Sequence, residues 1–474
     1  MRKKRRLSTH QESLSTYREK EMANESLFPM KSIMMAVLIV VLGISILNQI
    51  PGLFHSASVN TDIYSIVFDA GSTGSRIFVL HFVKPKNKAP RNEGSIKLDN
   101  EVFQSVEPGI SAYAQNPPAA AESLLPLLEK ALKSVPKEHH SSTQIIFKAT
   151  AGLRLLQKEK ADAILHDIRI LLKRSPFYLP DPESVSIMSE EAEGVFGWVS
   201  VNFLLDFIWN EFFDNSVSTF DLGGGSAQVT FEVASKVNLL FFLSFNSLSC
   251  QNEILIFEEI LFLTFYSYLG FGLKSARLGI LGGKEGPNGS ITYDNRVTDR
   301  MVNNEVQIIS PCFYKDKRLD FNHSDVGYEV WGLNEDNDLL PKCSEVVKDF
   351  VISGGFVQSH EISERELHLF SYFFDVARWA KLISWNNHME VLHVKDYLTA
   401  ARTYCQAGAM SSKHPFLCID LLYVYTLLTA GIGLSPDKEI HVEKKILGRE
   451  VSWCLGAALS KEFNYTNILA GRGT

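Results

Sequence analysis

Apolar residues recur along this chain with two periods, and the change from one to the other marks its elements. Residues 64–82 read as strand, turn, strand: YSIVF leads to Asp69, Gly71 to Ser75 are all small, and an apolar run resumes at Ile77. AAAESLLPLLEKALKSV (119–135) has helical spacing, STQIIFKATAG (142–152) is a strand running into small residues, and KEKADAILHDIRILLKR (158–174) is an amphipathic helix. Residues 184–208 read as a strand turning into a long helix. SVSTFDLGGGSAQVTFEV (216–233) repeats the strand, small-residue turn, strand design. This interleaving predicts an α/β fold. The two matching turns, after Asp69 and after Asp221, point to two related halves.

Two segments break the pattern. Ser32–Leu47, SIMMAVLIVVLGISIL, is apolar and about long enough to cross a bilayer. A basic flank precedes it, which favours a cytoplasmic N-terminus and a lumenal body. The expected layout is a cytoplasmic tail (1–31), a transmembrane signal anchor (32–49) and a stalk (50–61); a cleaved signal peptide is the alternative. The other segment, 237–265 (VNLLFFLSFNSLSCQNEILIFEEILFLTF), is rich in Phe and Leu but interrupted by Asn, Gln and Glu. A membrane span would leave those polar groups unpaired in hydrocarbon. It reads either as a buried segment or as translated non-coding sequence.

At 474 residues the chain is long enough for two sizeable cores, and 45% apolar with 21% charged residues is ordinary globular composition. The net charge of −7 is uneven: residues 1–31 hold eight Lys/Arg against four Glu, leaving −11 on the rest. An acidic body argues against nucleic acid as a partner. It also means that an anionic ligand needs a local cradle. The six cysteines (250, 312, 343, 405, 418, 454) contain no C-x-x-C, which argues against zinc or thioredoxin-type chemistry there. A lumenal body permits disulfides. Sequons at Asn288, Asn322 and Asn464 are glycosylation candidates on that side, whereas the sequon at Asn24 would be cytoplasmic.

The small-residue turns suit phosphate. Glycines let backbone N–H groups approach an anion, successive N–H groups form a nest, and Ser or Thr hydroxyls add donors. An Asp at the strand end repels phosphate but can hold a hydrated divalent cation that bridges to it. Asp69 with Gly71, Ser72, Thr73, Gly74 and Ser75 therefore reads as metal anchor plus phosphate clamp, and Asp221 with Gly223, Gly224, Gly225 and Ser226 as the opposing jaw. No G-x-x-x-x-G-K-[ST] is present, so this is not a Walker-type site.

DAGSTGSR (69–76), KATAGLRLL (148–156), EGVFGWVSVNFLL (193–205), DLGGGSAQVTF (221–231) and YLGFGLKSAR (268–277) occur in that order. They resemble the five apyrase regions of the nucleoside triphosphate diphosphohydrolases, over residues 62–466. FSYFFD (370–375), PFLCIDLLYV (415–424) and VSWCLGAAL (451–459) resemble the branch of lumenal nucleoside diphosphatases, types 5 and 6. The resemblance implies two actin-like (RNase H-type) lobes with the active site in the cleft between them: lobe I from 62–188 and 447–474, lobe II from 189–446. It implies hydrolysis of nucleoside diphosphates, UDP and GDP foremost, with Ca2+ or Mg2+ held through water by Asp69 and Asp221. Thr150 would contact the terminal phosphate, Ser226 and Gln228 would place the attacking water, and Glu193 would be the general base. A helix N-terminus also attracts acids for its dipole alone, a role open to Glu190 and Glu191. Tyr423, Tyr372, Phe373 and Phe374 are candidates to stack on the base, and Arg277 is a further one. The branch's disulfides would be Cys312–Cys343 and Cys405–Cys418, leaving Cys250 and Cys454.

Three residues depart from the pattern. Glu190 replaces a usual Gly, Ala227 replaces a usual Thr, and Gly74 stands where cell-surface triphosphatases carry His, which favours diphosphates. The implied setting is a single-pass type II protein of the Golgi, endoplasmic reticulum or cell surface, with secretion after cleavage as a variant. Two other functions compete: a catalytically silent membrane glycoprotein, and a chaperone-like nucleotide-binding module on the same fold.

Overall fold

The computed structural model describes residues 60–85, 96–208, 216–232, 250–256, 259–285, 290–295, 297–302, 305–323, 326–335, 338–406 and 413–460. The tail, the expected anchor and stalk, Asn24, Asn288 and Asn464 lie outside them. Among the described residues no helix is long and apolar enough to cross a membrane. A large compact unit (62–84 and 95–474) carries the elements below, and a smaller one (1–61 and 85–94) falls almost wholly outside the described residues.

The strands in chain order are β1 (Asn60–Ala70), β2 (Ser75–Pro85), β3 (Lys97–Val106), β4 (Gln144–Ala149), β5 (Val185–Ile187), β6 (Ser218–Leu222), β7 (Ser226–Glu232), β8 (Cys250–Ile256) and β9 (Glu259–Leu269). Next come β10 (Gly283–Glu285), β11 (Ile291–Tyr293), β12 (Val297–Val302), β13 (Glu305–Tyr314), β14 (Arg318–His323) and β15 (Val326–Asn334). The last needed here are β16 (Leu367–Ser371), β17 (Met389–His393) and β18 (Glu439–Glu443).

One sheet has the order β3-β2-β1-β4-β5, the other β17-β18-β16-β6-β7-β9-β8. Within the second, β9-β7-β6-β16-β18 repeats the plan of the first. In both, a strand ending in an Asp-led turn pairs on one side with the strand after that turn. On its other side lies a parallel strand, β4 for β1 and β16 for β6. Each sheet's chain thus leaves the two central strand ends in opposite directions, which opens a crevice at their carboxyl ends.

The layer between the sheets explains where the site falls. Helix Glu190–Leu204 has buried residues on every face, and it packs with Val67, Phe78 and Leu80 of the first sheet and with Phe265 and Phe370 of the second. A helix apolar all round must be enclosed on all sides. Helix Trp453–Leu459 shares this layer. The Gly456 N–H donates to Ser200 Oγ (2.8 Å), and a Cβ on Gly456 would run into the Phe196 carbonyl, so the two helices touch backbone to backbone. The outer faces carry separate cores, with Phe68, Leu127 and Ile164 on the first sheet and Phe220, Tyr423 and Val442 on the second.

The sequence-based elements are matched with one exception. The helix expected over 119–135 is two helices, Pro117–Glu122 and Leu125–Ser134. Pro126 has no N–H and is tolerated only in a first turn, so a new helix starts there. The segment over 237–265 is in part a strand pair: β9 runs antiparallel to β7 from Ser226↔Leu269 to Glu232↔Leu263, and β8 flanks it. Leu263, Thr264 and Phe265 are buried, in agreement with a buried segment; residues 233–249 lie outside the described ones. Both expected disulfides are present, and Cys454 is a buried free thiol.

Trp198 is fully buried in the middle layer. Trp198→Ala is expected to cost about 3–5 kcal/mol in urea unfolding; a loss under about 1 kcal/mol would contradict an enclosed helix.

Candidate active site

Asp69 is the penultimate residue of β1 and Asp221 the penultimate residue of β6, so the repeated sheet plan puts each at the mouth of the crevice. Both line one cavity of about 510 Å³ together with Gly71, Ser72, Thr73, Thr150, Glu193, Gly223, Gly224, Gly225 and Ser226. The two turns meet where the Ser72 and Thr73 side chains pack against Gly224. A Cβ on Gly224 would collide with Ser72 Oγ and lie 2.9 Å from Thr73 Cγ2, and one on Gly272 would lie 2.5 Å from Gly224 C. Only glycine permits this approach. Tyr372, just after β16, lines the same cavity.

Six carboxyls line the cavity: Asp69, Glu193 and Asp221, and besides them Glu107, Asp375 and Glu450. Burial raises the pKa of Asp69, and Arg76, whose Nη1 donates to Asp69 Oδ2 (3.0 Å), opposes the rise. Burial likewise raises Glu193. Arg154 opposes that through an ion pair to Glu193 Oε2, while the charges of Asp69 and Glu190 add to the rise. Asp221 is pushed up to about 7 by burial and then by the Glu193 and Asp69 charges, with a Ser371 hydrogen bond opposing. Its Oδ1 is buried without a hydrogen-bond partner, and no cationic side chain pairs with it among the described residues. Ser371 holds a left-handed φ of 61°, a costly conformation for Ser of the kind that concentrates at functional sites.

Glu193 lies in the first turn of helix Glu190–Leu204, capped by Ser189 Oγ accepting from Ala192 N–H (3.2 Å). Gln228 Nε2 donates to Ser226 Oγ (2.7 Å), Ser267 Oγ (3.2 Å) and Glu193 Oε2 (3.4 Å), and its Oε1 is a buried acceptor without a partner. Gln228 thus lies behind the wall, as do Gly74 and Ser75. The Gly74 carbonyl accepts from Gly71 N–H (3.0 Å), and a Cβ on Gly74 would lie 2.8 Å from the Val106 carbonyl oxygen. Two of the three departures find a physical account. Glu190 shares Arg154 with Glu193 (3.4 Å), and Ala227 points to the opposite face of β7, into the core, where a Thr hydroxyl would not reach the cavity.

The aromatic expectation is corrected in part. Tyr372 and Phe374 line the cavity, but Phe373 and Tyr423 do not. Both are fully buried: Phe373 packs on Phe220 with ring centroids 4.9 Å apart, and the Tyr423 hydroxyl donates to the Phe271 carbonyl. Helix Leu417–Thr426 is buried on all sides, so no apolar stripe marked which face met the site. Arg277 lines the cavity and is locked by two 2.7 Å bonds to buried Asp420. Sequence reasoning passed over Arg76, Arg154, Lys274, Lys444, Trp379 and Trp453. Arg76, Arg154, Lys274 and Trp453 stand inside quoted motifs, so their signal was present but unused.

A profile of the GDA1/CD39 (nucleoside phosphatase) family matches residues 55–468. Ectonucleoside triphosphate diphosphohydrolase 5 of Gallus gallus is 37% identical over 401 residues, 83% of this chain and 86% of that protein. Nucleoside diphosphate phosphatase ENTPD5 of Homo sapiens is 35% identical over 403 residues (83% and 86%), and ectonucleoside triphosphate diphosphohydrolase 6 of Mus musculus is 35% identical over 407 (86% and 82%). Among solved structures, nucleoside triphosphate hydrolases from Neospora caninum align at a TM-score of 0.57 and 12% identity, covering 91% of this chain and 97% of that one, a likeness of fold alone. By the length of the profile match and by these identities, the chain belongs to the GDA1/CD39 (nucleoside phosphatase) family.

Proposed function

We propose that this protein hydrolyses nucleoside diphosphates, UDP and GDP foremost, to the nucleoside monophosphate and phosphate. The observation that carries this is the meeting of the two Asp-led turns across one cavity that also holds Glu193. Relatives named as nucleoside diphosphatases support the substrate class, and family membership together with a buried base disfavours a silent or chaperone-like module.

The donor set fits a divalent cation. Asp69 and Asp221 are hard oxygen donors on one cavity, and Asp221 has a buried oxygen without a partner. They would hold Ca2+ or Mg2+ through water, and the bound ion would neutralise charge on the phosphates. The chain does the rest. Ser72, Thr73, Thr150 and the 223–226 turn bind the diphosphate with hydroxyl and backbone donors. Ser226 Oγ, held from behind the wall by Gln228 Nε2 (2.7 Å), orients water, and Glu193 takes its proton as the water oxygen bonds to the terminal phosphorus. The anhydride P–O bond breaks and its electrons leave with the nucleotide. Arg154 is a positioning residue that aims the Glu193 carboxyl and opposes the rise in its pKa that burial causes. Tyr372 and Phe374 receive the base, with Trp379, itself stacked on His414 at 4.7 Å, as a third wall.

The repeated strand order supports lobe I as 62–188 with 447–474 and lobe II as 189–446, the actin-like arrangement. Two disulfides suit an oxidising lumen, and Asn322 is exposed on β14 as a glycan acceptor must be. These support a protein of the secretory pathway; the type II anchor rests on the apolar run at 32–47 and its basic flank.

Glu193→Gln should lower phosphate release from UDP by about 10²–10⁴-fold while nucleotide binding persists; near-normal turnover would remove the base. Gly224→Ala should cost about 10²-fold in kcat/KM, because its Cβ wedges the turns apart. Between pH 3.8 and about 7 the folded chain binds a proton at Asp221 that the unfolded chain does not. Metal-free protein should therefore lose thermal stability as pH rises through that window. Added Ca2+ or Mg2+ should restore it increasingly at the upper end, and excess chelator should abolish turnover. Turnover that survives the chelator would exclude the cation.

A further inference from the structure

Strands β16 and β18 carry a second cluster of titratable side chains, none of which lines the cavity. His368 and His441 are register partners on these parallel strands, their rings stacked at 4.6 Å. His368 is 2% exposed; its Nε2 lies 3.0 Å from Glu366 Oε1 and its Nδ1 3.1 Å from Oε2 of buried Glu443. His441 Nε2 lies 3.1 Å from the same Glu366 oxygen. One donor atom each from Glu366, His368 and His441 falls within 4.8 Å of the others.

We propose that Glu366, His368 and His441 form a zinc-binding site. Two imidazole nitrogens and one carboxylate oxygen are a donor set that suits Zn2+, whereas Ca2+ and Mg2+ prefer oxygen alone. Ligand atoms around a tetrahedral zinc sit about 3.3 Å apart, and the Glu366 oxygen lies 3.0 and 3.1 Å from the two histidine nitrogens. Glu443 supplies the orienting partner of a zinc histidine: it accepts the Nδ1–H of His368, which fixes the tautomer and leaves the Nε2 lone pair facing Glu366 and His441. The register pairing sets the two rings side by side, and their stacked planes, 13° apart, must swing about χ2 for both lone pairs to meet one ion. Glu366 is half exposed, so water can reach the fourth position. An ion here would tie β16 to β18, and β16 ends at Ser371 and Tyr372 on the cavity wall. The competing account is an ion-pair network of the same four residues with no metal.

Purified full-length chain, stripped of metal, is titrated with Co2+ and followed by its visible absorption, then challenged with Zn2+. One Co2+ per chain with tetrahedral d–d bands, displaced by Zn2+ and retained in Asp221→Asn, is expected. The rim variants His441→Ala and Glu366→Gln, checked for folding by circular dichroism, should weaken it by about 100-fold, and Glu443→Gln by about 10–100-fold. Absence of those bands in wild type, or their persistence in both rim variants, would overturn the site and leave the metal-free network; neither result bears on hydrolysis at the cavity.

Discussion

Negative charge confined around one cavity is the constraint on which the rest of this structure depends. Asp69, Glu193 and Asp221 share the cavity, and charges taken from water are costly unless paired. Arg76 answers Asp69 and Arg154 answers Glu193, while Asp221 has no cationic partner among the described residues. Such an arrangement is poor for stability and good for holding a cation beside an anionic substrate. The three acids differ in their partners: Asp69 has Arg76, Glu193 has Arg154 and Gln228, and Asp221 keeps a buried oxygen without a hydrogen-bond partner.

The geometry that brings the acids together follows from using one strand plan twice. Each sheet places an Asp at a strand end and a small-residue turn after it. The helices 190–204 and 453–459 fill the space between the sheets and bring the turns face to face. Gly224 sets how near the Ser72 and Thr73 side chains come to the second turn, Gly272 lets the chain after β9 close on that turn's backbone, and Glu193 enters from the end of the middle layer. A substrate phosphate would therefore meet donors from both sheets.

Much of this was legible in the sequence. Alternating runs marked β1, β2, β6 and β7, and the small residues after Asp69 and Asp221 marked the two turns that line one cavity. Glu193, Thr150 and both disulfide pairs were reachable through motif resemblance. Other features were not legible, for physical reasons. Helix 190–204 and helix 417–426 are apolar all round, so periodicity could not say which face met what, and Phe373 and Tyr423 proved to be core while Tyr372 and Phe374 reached the cavity. The pairing of Arg154 with Glu193 and Glu190, and the cluster around His368, join residues far apart in the chain, which spacing cannot reveal.

Asp69 and Asp221 are proposed to serve a single ion at a single nucleotide. Equilibrium binding of Mn2+ in the presence of a non-hydrolysable UDP analogue tests it most directly, using wild type, Asp69→Asn and Asp221→Asn. The account predicts one nucleotide-dependent Mn2+ per chain, weakened in both variants. A nucleotide-dependent ion that binds undiminished in either variant would contradict it.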